Sequence, residues 1–204
     1  MAPAAQRTTI FACMGVSSAV AVAIWWACFH LIAPLPGLAD TPDRLIFGVK
    51  CIAVAVLFSV VLGAEAVAHE RLFSPAIDPL AGAETPRMRV NQRFLQNSVE
   101  QLLVFAPGLL LLAFYSDAGG MRAVIAATMV WIVGRIAFWI GYHKGPRFRA
   151  IGLFPMVQSL LILLWAAARF GDEVAGTPGT VALVAAFLLA EAWLTWLALR
   201  PAPA

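Results

Sequence analysis

The sequence has few charged side chains: charged residues make up 12% of the chain, whereas hydrophobic residues make up 62%. Soluble domains carry about 25% charged residues, so this shortage excludes an ordinary water-soluble domain. The apolar stretches are long and continuous and do not alternate with a period of two, which favours membrane helices over a barrel. We therefore predict an all-α integral membrane protein with short loops.

Cysteine is scarce as well, and the net charge is small. Cys13, Cys28 and Cys51 are odd in number and lie in or beside apolar stretches, so they indicate neither a disulfide framework nor a metal site. The net charge of +3 is explained by basic residues that meet anionic lipid at the inner surface of a membrane. We predict no bound metal and no nucleic-acid partner.

Six apolar segments each approach the ~20 residues that a helix needs to cross a bilayer. They cover residues 10–33, 45–68, 99–115, 121–142, 151–170 and 180–199. The third is short, but Thr85 and Pro86 form a good N-cap and first-turn pair, so its helix is predicted to begin in water near Pro86. The first is longer than the apolar core of a signal peptide, about 7 to 15 residues, so we predict a retained span.

Lys and Arg are distributed unevenly between the two sides of these segments. With the N-terminus in the cytoplasm, the inner segments hold nine Lys and Arg residues and the outer segments four. Because cytoplasmic loops carry an excess of Lys and Arg, this bias predicts that both termini are cytoplasmic. The loops 69–93 and 143–150 are then expected on the cytoplasmic side.

Polar residues enter the third span along one face of its predicted helix. At 100° per residue, this face holds Arg89, Arg93, Asn97 and Glu100. The opposite face is apolar, so the polar face should look at protein or at a water-filled pocket and not at lipid. A purely structural interpretation stays open beside a functional one: Arg93 would reach the headgroups, Asn97 would bond another helix, and Glu100 would pair with an arginine to hold the bundle.

A second polar face lies on the fourth span, where Arg135, Phe138 and Tyr142 fall on one side of the helix. Arg135 lies well inside the span, and an unpaired charge at that depth would cost several kcal/mol. Glu100 lies at a similar depth in its own helix and is the predicted partner of Arg135. The two faces predict a pocket at the cytoplasmic boundary for a small ligand with carboxylates and an amino group, open to lipid for an apolar co-substrate.

Two motifs in these helices resemble the membrane-associated proteins in eicosanoid and glutathione metabolism (MAPEG), the family of microsomal glutathione transferases and of leukotriene and prostaglandin synthases. The first, R-x-x-x-N-x-x-E, enters the family's second helix, and the second, R-x-x-x-x-x-G-Y with a basic cluster, closes its third. The residues are Arg93, Asn97 and Glu100 in the first, and Arg135, Gly141, Tyr142, Lys144, Arg147 and Arg149 in the second. The chain is identified as a bacterial-type member.

The resemblance implies a homotrimer of four-helix bundles that binds glutathione, as a co-substrate, between neighbouring subunits near the cytoplasmic surface. In such enzymes the position that matches Arg149 stabilises the glutathione thiolate, so Arg149 is the implied catalytic residue. The implied glutathione ligands are Arg93, Asn97, Glu100, Arg135, Tyr142, Lys144 and Arg71. A thiol with a free pKa of about 8.5 becomes a usable nucleophile at neutral pH when a guanidinium stabilises its anion.

Three features depart from the family's pattern. Gln101 and Phe138 stand where the glutathione-conjugating synthases carry tyrosines. The first and sixth spans also lie outside the usual four-helix unit, so an extra transmembrane helix is predicted at each end. The predicted divisions are 1–44 for the N-terminal extra helix and loop, 45–170 for the four-helix bundle and 171–204 for the C-terminal extra helix.

The composition predicts a multi-pass membrane protein, and the resemblance implies a protein of the bacterial inner (cell) membrane that binds glutathione or a related thiol. The leading hypothesis is a glutathione transferase or peroxidase-like enzyme for lipophilic electrophiles, whose partners are its own copies in a homotrimer, membrane lipids and a small lipophilic substrate. The alternative is a non-enzymatic binding or scaffolding protein with the same fold, so enzymatic activity stays open. A small transporter is less favoured, because the spans lack the paired Gly- or Pro-interrupted helices of transport cores.

Overall fold

The chain is helical along most of its length in the computed structural model, which describes residues 4–200. A π-helical turn, Leu57–Val61, joins two helices without a break, and two short 3-10 helices cover Pro75–Ile77 and Phe148–Gly152. The α-helices are α1 (Ala4–Leu31), α2 (Thr41–Val56), α3 (Leu62–Leu72), α4 (Pro86–Tyr115), α5 (Arg122–Lys144) and α6 (Phe154–Leu199). The predicted all-α class is confirmed for the described residues.

Within residues 4–200, five helical stretches are long and apolar enough to cross a bilayer. They are Gln6–Leu31, Thr41–Leu72, Pro86–Tyr115, Arg122–Lys144 and Phe148–Leu199. The prediction of a multi-pass helical membrane protein is therefore confirmed. The last stretch, of 52 residues, contains both the fifth and the sixth predicted spans, so the number of six crossings stays a prediction.

Helix α6 is interrupted between these two predicted spans. Ala175 and Gly176 leave the helical conformation, and Gly176 has a φ of 65°, which glycine adopts without steric cost. The Thr180 hydroxyl donates a hydrogen bond to the Ala168 carbonyl over 2.9 Å, although twelve residues span about 18 Å along a straight helix. The chain therefore turns back on itself at Gly176.

The chain divides into two compact units, residues 1–160 and 161–204. In the first unit, α2 packs against α4 and α5, and α1 packs against α5 and Phe148–Gly152. The rings of Phe105 and Trp131 stack with centroids 4.3 Å apart in the buried contact between α4 and α5. The predicted divisions at residues 44 and 170 stay predictions.

The start of α4 is fixed by its N-cap. The Thr85 hydroxyl accepts a hydrogen bond from the Met88 amide over 3.0 Å, and Pro86 occupies the first turn, where its missing N–H is not needed. Glu70, at the end of α3, accepts a hydrogen bond from the Thr85 hydroxyl over 2.9 Å and pairs with Arg87 over 2.6 Å. The predicted start of this helix near Pro86 is confirmed.

Candidate functional site

Arg135 is fully buried between α4 and α5 and makes three side-chain hydrogen bonds to α4. Its Nη1 donates to Asn97 Oδ1 and to Gln101 Oε1, each over 3.0 Å, and its Nη2 donates to Ser98 Oγ over 2.9 Å. The predicted pairing of Arg135 with Glu100 is wrong, because Glu100 Oε1 instead accepts from Gln96 Nε2 over 3.0 Å. On α4, Glu100 lies about 100° of helix rotation from Gln101, which contacts Arg135.

Aromatic faces complete the surroundings of the Arg135 guanidinium. Its central carbon lies 4.5 Å from the centroid of the Phe138 ring, 5.3 Å from that of Phe94 and 5.9 Å from that of Trp131. These cation–π contacts are favourable and are strongest where water is excluded. Within residues 4–200, the recorded partners of this cation are amide and hydroxyl oxygens and rings, so its charge is met without an ion pair.

The bonds to Arg135 orient two amide groups. Arginine offers only donors, so Asn97 and Gln101 turn their oxygens towards it and their amino groups away from it. The Gln101 amino group approaches the sulfur of Met156 at 3.5 Å. Both amides therefore present donors on the side of α4 that leads to the neighbouring cavities.

Two adjoining cavities lie beside these amides, and we call them the smaller and the larger cavity. The smaller cavity has a volume of about 180 Å³. The side chains of Arg93, Asn97 and Glu100 on α4 line it together with Tyr142 and Arg149. The structure thus brings together five of the residues that the sequence predicted for the site. Gln96 also lines the cavity, accepts from Arg93 Nη1 over 3.1 Å and donates to Glu100. Its position three residues after Arg93 on the same helix was the signal that could have found it.

The larger cavity, of about 440 Å³, adjoins the smaller one. The two share Asn97, Phe138 and Arg149 as lining residues. The larger cavity is also lined by Gln101, Arg147 and residues of α1. The α1 residues carry no sequence signal for a site, since they belong to an ordinary apolar span.

Two glycines place Arg149 at the common wall of the cavities. A side chain on Gly141 would overlap the Phe148 carbonyl, and one on Gly152 would overlap Phe138, so both positions must remain small for Phe148–Gly152 to lie against α5. This close approach puts the Arg149 guanidinium 5.9 Å from the centroid of the Tyr142 ring. Local backbone packing therefore sets the position of the implied catalytic residue.

Three further predicted ligands lie elsewhere. Arg135 has no exposed surface and lies behind the lining residues Asn97 and Gln101. Lys144, at the end of α5, and Arg71, at the end of α3, line neither cavity of the single chain. The contact of these three residues with a ligand stays a prediction.

A second polar cluster, which sequence reasoning missed, surrounds Asn91 on α4. The buried Asn91 Oδ1 accepts from Trp139 Nε1 over 2.9 Å and lies 2.9 Å from His143 Nε2. A cavity of about 370 Å³ is lined by these residues together with His69 and Arg87. The cluster joins α4 to the last turns of α5. Asn91 lies two residues before Arg93, the first α4 residue that lines the smaller cavity.

The fold and the paired cavities define a multi-pass helical membrane protein with a polar candidate site formed by α4, α5 and the 3-10 helix after α5. The family model described as the MAPEG family matches residues 45–169. The chain belongs to this family, as its two motifs predicted. No solved structure matches the chain significantly.

Curated relatives from animals and from a cyanobacterium are similar to parts of the chain. Transmembrane protein 79 of Mus musculus is 23% identical over 74% of this chain and 40% of its own length, and that of Bos taurus is 24% identical over 64% and 33%. The uncharacterised protein sll1147 of Synechocystis sp. is 36% identical over 36% of this chain and 57% of its own length. The chain thus spans less than two thirds of each of these relatives, and the cyanobacterial match supports a bacterial-type member.

Proposed function

We propose that the protein binds glutathione or a related thiol in the smaller cavity and transfers it to, or uses it to reduce, a lipophilic electrophile in the larger cavity. The observation that carries this proposal is that Arg149 lines both cavities. A nucleophile and its electrophile must meet within about 3–3.5 Å, and the common wall is where two bound molecules would do so.

The charges of the smaller cavity suit glutathione, which has two carboxylates and one ammonium group. Arg93 and Arg149 offer guanidinium groups for carboxylates or for the thiolate, and Glu100 offers a carboxylate for the ammonium. The Asn97 amino group, turned towards the cavity by Arg135, adds a donor for a peptide carbonyl or carboxylate. The cavity therefore offers a complementary group for each kind of charge on the tripeptide.

The chemistry follows from stabilising an anion next to Arg149. The thiol loses its proton to water, and the guanidinium favours the resulting thiolate. The thiolate sulfur then attacks an electrophilic carbon, a sulfur–carbon bond forms, and the leaving group departs with the electron pair of the broken bond. With a hydroperoxide, two thiols become a disulfide while the hydroperoxide is reduced to an alcohol and water.

Arg135, which has no exposed surface in the single chain, acts in this proposal as a positioning residue. It holds the amide oxygens of Asn97 and Gln101, and through them it sets which amide atoms face the cavities. Gln101 and Phe138, which stand where conjugating synthases carry tyrosines, both contact the Arg135 guanidinium. Tyr142 is then the phenol that remains on the wall of the smaller cavity.

The same two positions favour a second candidate function. With Gln101 and Phe138 engaged by Arg135, a bound thiol would lack two hydroxyl partners, which is consistent with a protein that binds a metabolite or anionic lipid without reaction. Conjugation and binding are separate measurements, so the two candidates can be distinguished.

For assembly and location, we propose a homotrimer with six crossings in a bacterial inner membrane and both termini in the cytoplasm. The reversal at Gly176 supports two crossings within α6, and the excess of Lys and Arg on one side supports the orientation. The cyanobacterial relative supports the bacterial setting. Cross-linking in detergent tests the trimer, and monomers alone would contradict it.

The test of the function is conjugation of glutathione to 1-chloro-2,4-dinitrobenzene by the purified protein in lipid nanodiscs. The wild type is expected to accelerate the reaction, and Arg149→Ala to lose at least about 100-fold of that acceleration, the scale of removing one anion-stabilising group. Arg89→Ala is the matched control, because Arg89 is an exposed arginine of α4 that lines neither cavity. Saturable glutathione binding without acceleration would support the binding protein instead.

A further inference from the structure

Helix α1 lies outside the stretch that matches the family, yet it forms a wall of the larger cavity. Its lining side chains are Gln6, Ile10 and Met14. Residues four apart lie on one face of a helix, so the three form a continuous strip along the N-terminal half of α1. The family model matches residues 45–169, and this wall lies outside the matched stretch.

The larger cavity has a cationic, hydrogen-bonding side and an apolar side. Arg147, Arg149 and the amides of Asn97 and Gln101 form the first, whereas α1 contributes Ile10 and Met14 to the second. Leu153 and Met156 extend the apolar side. In the described part of the chain no Asp or Glu lines the cavity, so its charge favours an anionic group on the occupant.

Helix α1 is anchored to its neighbours by hydrogen bonds at its middle and in its C-terminal half. Trp25 Nε1 donates to Oε1 of the buried Gln158 over 2.8 Å, and Arg122 Nη1 donates to the Phe29 carbonyl over 2.9 Å. The Ser17 hydroxyl accepts from the amide of Phe154 over 3.4 Å. These bonds tie α1 to α5 and to the start of α6, on the C-terminal side of the wall residues.

We propose that α1 completes the binding subsite of the electrophilic acceptor, and that this subsite selects acceptors with a compact apolar body and an anionic group. Ile10 and Met14 contact the apolar body, and Arg147 pairs with the anion. The volume of about 440 Å³ lies within the roughly 300–1,000 Å³ typical of sites for small organic ligands. The reaction assigned to the acceptor rests on the proposed function. The binding of the acceptor rests only on the cavity and its lining residues.

The reaction at this subsite is illustrated by 4-chloro-3,5-dinitrobenzoate. The thiolate sulfur attacks the ring carbon that bears chlorine, a sulfur–carbon bond forms, and chloride leaves with the bonding pair. The ring lies between the α1 wall and Met156, and the carboxylate lies at Arg147. Arg149 stays at the common wall of the cavities, next to the attacking sulfur.

The first test measures equilibrium binding of 3,5-dinitrobenzoate, which has no leaving group, to the full-length protein in nanodiscs by calorimetry. Met14→Trp and Ile10→Trp fill the cavity, so each is expected to weaken binding roughly tenfold or more. Phe11→Trp is the matched control, because Phe11 is 67% exposed and does not line the cavity. Glutathione affinity, measured in the same way, should not change in any of the three variants.

The second test addresses the anionic group. Arg147→Gln is expected to lower the affinity for 3,5-dinitrobenzoate roughly tenfold and to leave that for uncharged 1,3-dinitrobenzene unchanged, since only one of them carries a charge for Arg147. Arg89→Gln removes an exposed charge away from both cavities and controls for the general loss of positive potential.

The outcomes separate this inference from the proposed function. The protein could bind dinitrobenzoate, with weaker binding in Met14→Trp, and yet bind no glutathione. That result would support the acceptor subsite and contradict the proposed thiol chemistry. If glutathione binds and the Trp variants at residues 10 and 14 bind dinitrobenzoate as the Phe11→Trp control does, the subsite assigned to α1 is wrong. Equal effects of Arg147→Gln on the charged and uncharged compounds would overturn the selection for an anion.

Discussion

Arg135 Nη1 donates a hydrogen bond to Asn97 Oδ1 over 3.0 Å, across the contact between α5 and α4. The bond holds the amide oxygen of Asn97 inward and leaves its amino group for the cavities that Asn97 lines. A fully buried cation thereby sets the hydrogen-bonding character of a wall that it does not itself form.

Replacing Arg135 with methionine is expected to destabilise the protein and weaken glutathione binding together. Three oxygens on α4 would lose their donor in a buried contact, which costs on the order of 2–4 kcal/mol and lowers Tm by about 5 °C or more. Arg135→Lys should recover little, because an ammonium cannot reproduce the planar fork of donors. Thermal unfolding and glutathione titration of both variants in detergent are the measurements; an unchanged Tm in Arg135→Met would contradict the positioning role.

Glu100→Gln is expected to weaken glutathione binding without loss of stability. The Glu100 carboxylate lines the smaller cavity and accepts a hydrogen bond from Gln96. Removing its charge is expected to weaken the binding of the glutathione ammonium group by about 1.5–3 kcal/mol, which lowers the affinity roughly tenfold or more. The same titration measures the affinity, and Tm should match the wild type. A fall in Tm as large as that of Arg135→Met would instead indicate that the two residues form an ion pair.

Gly141→Ala tests whether backbone packing positions Arg149. The added methyl group would meet the Phe148 carbonyl, so Phe148–Gly152 should move away from α5 and carry Arg149 with it. Conjugation activity is expected to fall at least about 10-fold, because displacing a catalytic group by roughly 1 Å is costly. Gly15→Ala serves as the control, since nothing lies within 4 Å of the added carbon there. Full activity of Gly141→Ala would contradict this account of the site.

Sequence patterns predicted the features that depend on one helix or one turn. The spacing of Arg93, Asn97 and Glu100 placed them on one face, and the structure puts all three on one cavity wall. Thr85 and Pro86 marked the helix start because capping is a local interaction.

Features that depend on how helices rotate against one another were not predictable from the pattern. Glu100 and Gln101 lie at the same depth, and only the packing of α4 on α5 decides that Gln101 contacts Arg135. The α1 wall was not predicted for the same reason. Ile10 and Met14 line one cavity together with Asn97 and Gln101 of α4, which lie about 90 positions later in the sequence.

Because α6 turns back on itself, replacing Gly171 by a larger residue is expected to lower the stability of the protein. A Cβ atom at this position would lie 2.7 Å from the backbone of Gly179, so Gly171→Ala should cost on the order of 1–3 kcal/mol through overpacking. Differential scanning fluorimetry in detergent would show the lower Tm, with Gly15→Ala again as the control. A Tm equal to that of the control would indicate that the two segments of α6 do not approach as described.

The ultraviolet difference absorbance of glutathione bound at neutral pH measures whether Arg149 stabilises a bound thiolate. The wild type is predicted to show a saturable thiolate band, because the guanidinium lowers the thiol pKa from its free value of about 8.5. Arg149→Ala should bind glutathione with little of this band, whereas Arg89→Ala should retain it. A band of equal size in Arg149→Ala, or its absence from the wild type, would contradict the account.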